Sequence, residues 1–190
     1  MNVTSMAWIE TIDETDADDE LKKMYKKLKT KRGKVSNILK IQSLLPKTIE
    51  SHMNFYTDIM FNKSTISREE KELIAVLVSK INNCPYCINH HAEALNYYWK
   101  DKDKINGFLQ NLDYSTFSKK KQAVLSYAEK LTKHPNNMKE SDINNLKENR
   151  LNDKQILEIA LIISYFNFVN RMALGLNVEF TEEEMKGYNY

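Results

Sequence analysis

Four residues of this chain combine side-chain types and spacings that chemistry can use: Glu72, Cys84, Cys87 and His91. Cys84 and Cys87 form a C-x-x-C pair around Pro85 and Tyr86. Proline is well tolerated at the first helical position, so Pro85 reads as a helix start. Cys84 then becomes the N-cap and Cys87 falls in the first turn. Unpaired backbone N–H groups and the positive end of the helix dipole favour a thiolate there. A cysteine at a helix N-terminus in such a motif is the setting in which thiol pKa values fall. Two cysteines at this spacing can also close a disulfide. Cys87 is therefore the better candidate nucleophile. His91 lies one turn further on the same helical face, where an imidazole can take the thiol proton or stabilise the thiolate. His90 points roughly 100° away.

Glu72 precedes Cys84 by twelve residues, about 18 Å along one continuous helix. It reaches the cysteines only if the chain reverses, and Asn82-Asn83-Cys84-Pro85 supplies the reversal. In the resulting antiparallel hairpin Glu72 and His91 stand at similar distances from the turn, side by side. A carboxylate that orients a base follows the logic of catalytic triads. The relay then runs from Glu72 to His91 to Cys87, with Cys84 as the resolving thiol. Two other readings of the same residues stay open. Cys84, Cys87 and His91, with Glu72 as a fourth, are zinc-ligand types, although no second C-x-x-C completes a closed structural site. The cysteines could also be small packed residues at a helix start. A thioredoxin-like oxidoreductase would want a βαβ context, which this chain does not offer.

The elements that must position these residues are helices. The chain has 190 residues with only four glycines and three prolines, against a usual combined share of about 12%, too few for the turns of a sandwich or barrel. Apolar residues recur at helical spacing and no period-two alternation appears; the fold class is all-α. Expected helices run over residues 16–30, stopped at Gly33, over 46–62, and from the capping box of Ser67 and Glu70 to Asn82 and Asn83. Others follow from Pro85, over 118–134 ahead of Pro135, over 139–149, and over 152–176. At an offset of 85 residues, Ile74-Ala-Val-Leu-Val-Ser79 lies over Ile159-Ala-Leu-Ile-Ile-Ser164, and Asn82 over Asn167. The core could thus be built from two similar helical halves. Only the first carries chemistry, because Glu72, Cys84, Cys87 and His91 fall opposite Leu157, Val169, Met172 and Leu176.

The net charge of +2 implies no strong attraction to nucleic acid or to a membrane. Ile159 to Asn170 is uncharged but short of the roughly 20 apolar residues of a membrane span, and the N-terminus shows no secretory signal. The expectation is a soluble, cytoplasmic protein. His52, His90 and His134 read as surface or partly buried histidines. Asn170 and Arg171 read as a helix end whose charge pairs with an acid such as Glu179, with an interface or pocket contact as the alternative, and Lys119–Lys121 as a solvated helix start.

The pattern E-x11-C-x2-C-x3-H, met by Glu72, Cys84, Cys87 and His91, resembles the core motif of alkylhydroperoxidase AhpD, a family within the carboxymuconolactone decarboxylase superfamily of small all-α proteins. The segment YFNFVNRMALGL further resembles its peroxidase-related subgroup. The resemblance covers roughly residues 40–180, with 1–39 as a helical extension and 181–190 as a tail. It implies reduction of (alkyl) hydroperoxides through a redox-active disulfide, with Cys87 attacking, Cys84 resolving, and Glu72 and His91 relaying protons. It also implies a homo-oligomer, an external dithiol reductant of lipoyl type, and no metal, haem or flavin cofactor. AhpD carries a second histidine between its cysteines; this chain has Tyr86 there. The alternatives are a lactone decarboxylase or isomerase on the same fold, and a non-enzymatic redox-sensing oligomer.

Overall fold

A computed structural model describes residues 7–181 of the chain. Among these the regular structure is entirely helical: α1 (Asp19–Arg32), α2 (Asn37–Lys40), α3 (Pro46–Met60), α4 (Arg68–Ile81), α5 (Pro85–Trp99), α6 (Lys102–Asn111), α7 (Lys119–Lys133), a 3-10 turn at Pro135–Asn137, α8 (Glu140–Glu148) and α9 (Asp153–Gly175). The all-α expectation holds. The tail expected at 181–190 lies, beyond Thr181, outside the described residues.

The chain divides into two compact units, residues 59–170 and residues 1–58 together with 171–190. In the second of these, Leu21, Tyr25 and Leu28 of α1 pack with Val35, Leu39 and Ile49. Tyr25 donates its hydroxyl to the Ile12 carbonyl at 2.7 Å. Asp18 caps α1 by accepting from the Leu21 N–H at 2.8 Å, and Gly33 ends it at φ 84°, a conformation open to glycine. His52 is buried against Gln42, 2.8 Å away, and burial pushes its imidazole down to about 4. Trp8 stays 73% exposed, although its backbone N–H reaches the Leu176 carbonyl at 2.9 Å.

The unit of residues 59–170 is built around α4. Ser67 and Glu70 close their capping box with hydrogen bonds of 3.2 and 2.9 Å, which fixes where α4 begins. From Lys71 to Ser79 every side chain of α4 is buried, chiefly against α5 and α7. Such all-round burial is the mark of a central helix. It encloses Lys71, whose ammonium pairs with Glu158 of α9 at 2.7 Å and donates to the Ile59 carbonyl at 2.9 Å and to Asn62.

Helix α9 is longer than the uncharged run inside it. By length and composition it could cross a membrane, but 56% of its most apolar stretch is buried inside the protein. Helix α6 was not foreseen from the sequence. It is ten residues long and includes a glycine, so its periodicity is weak. Lys100, at φ 52°, ends α5, and Asp101 then caps α6 by accepting from the Lys104 N–H at 2.9 Å. Just before this break Trp99 donates its indole N–H to Glu69 at 3.0 Å, under the Lys104 ammonium 4.1 Å from the ring centre.

Candidate active site

The site lies at the reversal between α4 and α5. Asn82 caps the C-terminus of α4, and Asn83 takes a left-handed φ of 51°, which asparagine tolerates better than most residues. Pro85 sits in the first turn of α5. The chain folds back, and α5 returns along α4.

The return brings His91 Nδ1 to 2.7 Å from Glu72 Oε2. The other carboxylate oxygen, Oε1, receives Arg68 Nε at 2.8 Å and Nη2 at 2.6 Å. Arg68 is held in turn by the Met60 carbonyl at 3.1 Å and lies 3.9 Å over the Phe61 ring. Glu72 is 0% exposed. Burial by itself would raise its pKa, but His91 and then Arg68 oppose this and hold the carboxyl below its ordinary range. A carboxylate only accepts, so Nδ1 of His91 carries the proton that faces it, and Nε2 is the ring nitrogen turned away from Glu72. The Phe166 ring of α9 meets the imidazole edge-on with centroids 4.5 Å apart.

Cys84 and Cys87 are free thiols, 0% and 2% exposed. Their electrostatics reverse the expectation drawn from the helix dipole. Cys84 has its pKa lowered, first by the hydrogen bond from Cys87, against burial, and with help from the backbone N–H groups of Cys87 and Tyr86. Those N–H groups favour the sulfur without closing a regular cap hydrogen bond. Cys87 is raised well above its ordinary value by the hydrogen bond it makes to Cys84, then by burial and by the charge on Cys84. Only the N-cap sulfur also collects backbone donors, and this sets the order of the two thiols, Cys84 below Cys87. One contact opposes this order at Cys87, a hydrogen bond from Asn170.

The structure thus pairs Glu72 with His91 and Cys84 with Cys87, the two pairs following each other along α5, and adds partners that the sequence reading missed. Arg68 carried a signal, since it stands four residues before Glu72, the spacing of a helical ion pair. Asn170, near a helix end in the sequence, is fully buried and hydrogen-bonds Ser79 and Asn82. His90 stacks on Tyr86 with centroids 4.2 Å apart and contacts its carbonyl at 2.7 Å. Tyr86, which stands where AhpD has another histidine, is buried. Among the described residues no three His, Cys, Asp or Glu side chains are arranged as metal ligands.

Residues 46–130, which contain all four site residues, match the sequence model of the carboxymuconolactone decarboxylase family. The fold is similar to that of a peroxidase-related protein from Silicibacter sp. TM1040, at 26% identity and TM-score 0.85, over 98% of this chain and 97% of that one. It is also similar to an alkylhydroperoxidase AhpD core, a peroxidase-related protein from Ralstonia eutropha JMP134, at 22% identity and TM-score 0.83, over 96% of each chain. The debrominase Bmp8, solved in complex with 2,3,4-tribromopyrrole, shares the fold at 18% identity and TM-score 0.74, over 92% of this chain and 91% of its own. The fold therefore hosts more than one activity.

Proposed function

The chain belongs to the AhpD-like, carboxymuconolactone decarboxylase superfamily, and on that premise we propose that it is a thiol-dependent peroxidase and disulfide oxidoreductase acting on alkyl hydroperoxides. The observation that carries this reading is the 2.7 Å contact of Glu72 with His91. It turns Nε2 away from the carboxylate on a histidine one helical turn after Cys87, whose thiol is hydrogen-bonded to that of Cys84.

In the proposed cycle His91 Nε2 accepts the Cys87 proton and the carboxylate of Glu72 stabilises the imidazolium. The Cys87 thiolate attacks the distal peroxide oxygen. The O–O bond breaks, a sulfenic acid forms, and the leaving alkoxide takes the proton back from His91 as an alcohol. The Cys84 sulfur then displaces hydroxide from the sulfenic acid. This closes the disulfide and, with one proton, releases water. An external dithiol returns both thiols by exchange and is itself oxidised. The residues present call for no metal, haem or flavin in this sequence of steps. Leu157, Leu161 and Phe168 are exposed apolar side chains of α9 at positions that share one helical face, which supports a homo-oligomer; light scattering tests the assembly.

Intact mass after one equivalent of an organic hydroperoxide tests the chemistry. The expected result is a loss of about 2 Da, the two thiol hydrogens, reversed by dihydrolipoamide and repeated over many turnovers. Cys87→Ser should abolish turnover, and Cys84→Ser should trap a sulfenic acid. An unchanged mass with both thiols still alkylatable overturns the reading. Burial of both sulfurs favours one second reading, a disulfide that forms and signals without turning over. A disulfide that no dithiol recycles would decide for it.

A further inference from the structure

The buried carboxylate of Glu72 has two partners that can carry positive charge, and only one of them always does. Arg68 places both Nε, at 2.8 Å, and Nη2, at 2.6 Å, on the single oxygen Oε1. A guanidinium fork can span both oxygens of a carboxylate; here it takes one and leaves Oε2 to His91 Nδ1 at 2.7 Å. The arginine is itself anchored, by Nη1 on the Met60 carbonyl at 3.1 Å and by the Phe61 ring 3.9 Å below. The segment that carries these anchors is pinned from two helices. Lys71 of α4 donates to the Ile59 carbonyl at 2.9 Å, and Gln155 of α9 to the Thr65 hydroxyl at 2.6 Å. Neighbouring charges on α4 have counterparts of their own: Glu69 meets Lys121 at 3.1 Å and Lys71 meets Glu158 at 2.7 Å. Arg68 and Glu72 therefore balance as a pair. A proton added to the His91 ring is one positive charge more than that balance needs.

We propose that Arg68 is a positioning residue of the relay: it supplies the positive charge that buried Glu72 requires, and so leaves the His91 ring free to release the proton it takes. This rests on the reading of Glu72 and His91 as a proton relay and names the group that makes the relay reversible. A buried carboxylate without a fixed counterion takes its balance from whatever nearby can hold a proton. Without Arg68 that group is His91, which would stand as an imidazolium with Nε2 already occupied. Arginine suits the place because it stays charged at any working pH. The charged and titratable groups around the ring are Glu72 and, behind it, Arg68 on α4, with Cys87 one turn earlier on α5. Helix α9 meets the ring with Phe166 and carries no charged side chain from Ile159 to Asn170. No electrons move in this step; one proton arrives at Nε2 and leaves it.

The test is the nitrogen chemical shift of His91 Nε2 against pH in a Cys84→Ala, Cys87→Ala background, where no thiol titrates beside the ring. Arg68→Gln should raise the pH at which Nε2 loses its proton by about one unit, roughly tenfold less unprotonated Nε2 at a fixed pH below the midpoint. Arg68→Lys keeps the charge, loses the fork, and should recover most of that shift. Phe61→Ala changes no charge but loosens the guanidinium, and should move the midpoint the same way by roughly threefold in unprotonated Nε2. A purely structural role would lower the melting temperature of Arg68→Gln and Arg68→Lys alike and leave the midpoint in place. Water admitted by loose packing would screen Glu72 and lower it. An unchanged or lowered midpoint in Arg68→Gln of native helix content overturns the proposal, and so does a midpoint raised as far in Arg68→Lys. If Arg68→Gln does not fold, Phe61→Ala decides by the criterion of an unchanged or lowered midpoint. No readout uses a hydroperoxide. A shifted midpoint without peroxide turnover in the native chain removes only the peroxidase reading, and turnover with an unshifted midpoint removes only the role of Arg68.

Discussion

Helices α4 and α9 begin alike and end differently. At an offset of 85 residues Arg68 and Asp153 open the two helices. Asn152 and Gln155 each donate a backbone N–H to the other's side-chain oxygen at 2.9 Å, as Ser67 and Glu70 do at 2.9 and 3.2 Å. The correspondence runs on to Asn82 and Asn167, where the two side chains touch each other at 3.1 Å. There it stops. Helix α4 ends and the chain reverses, while α9 continues to Gly175. Pro85, which lacks an N–H and disfavours helical backbone at the residue before it, falls opposite Asn170, which does neither. One interrupted helix places cysteines, a histidine and a carboxylate around a turn. The uninterrupted one supplies a wall and one amide. The difference teaches that the chemistry comes from the interruption, and the apolar frame that both helices share is its support.

Exchanging residues between the two regions should break this contrast in order of size. Cys84→Val, which copies Val169, should remove disulfide formation altogether, read as free-thiol content after hydroperoxide treatment. Glu72→Leu, which copies Leu157, strips a buried acceptor from Arg68 and His91 and should cost about 3–5 kcal/mol in urea denaturation. The reverse exchange at the other helix, Leu157→Glu, changes a side chain that is 60% exposed and should stay within about 0.5 kcal/mol.

Acid should separate the regions next. Because the Glu72 carboxyl titrates below its ordinary 4.5, the unfolded chain binds its proton first. The stability it contributes is full above that value and is lost as pH falls toward the lower folded-state value. Glu72→Gln should flatten that part of a stability-against-pH curve. The smallest effect belongs to the turn: Asn83→Ala forces alanine into the left-handed region and should cost about 1 kcal/mol, while Asn83→Gly should cost only a few tenths. Thermal unfolding of both variants checks it.

Much of this was legible in the sequence because it is local. The capping box, the proline restart and the reversal at Asn82–Cys84 are short-range features, and they suffice to bring Glu72 to His91. What escaped needed a partner far along the chain. Lys71 looks like any helical lysine until Glu158 meets it, and Asn170 looks like a helix end until Asn82 and Ser79 do. The order of the thiol pKa values escaped for a different reason. The helix dipole was applied to each sulfur alone, whereas a hydrogen bond between two sulfurs lowers one pKa and raises the other, and the one with more backbone donors is the one lowered. Helix α6 is short and glycine-containing, and its start is set by a single cap that periodicity does not report.

The placement of the chain's two tryptophans has an optical consequence. Trp8 is open to solvent and belongs to the unit of residues 1–58 and 171–190. Trp99 belongs to the other unit, its indole tied to Glu69 and covered by Lys104. A solvated indole emits to the red, and one pressed against an ammonium emits more to the blue and more weakly. Melting of residues 59–170 should therefore register as a red shift with brightening, while melting of the other unit leaves emission colour nearly unchanged. A single fluorescence trace thus carries a label for which part of the molecule gives way first.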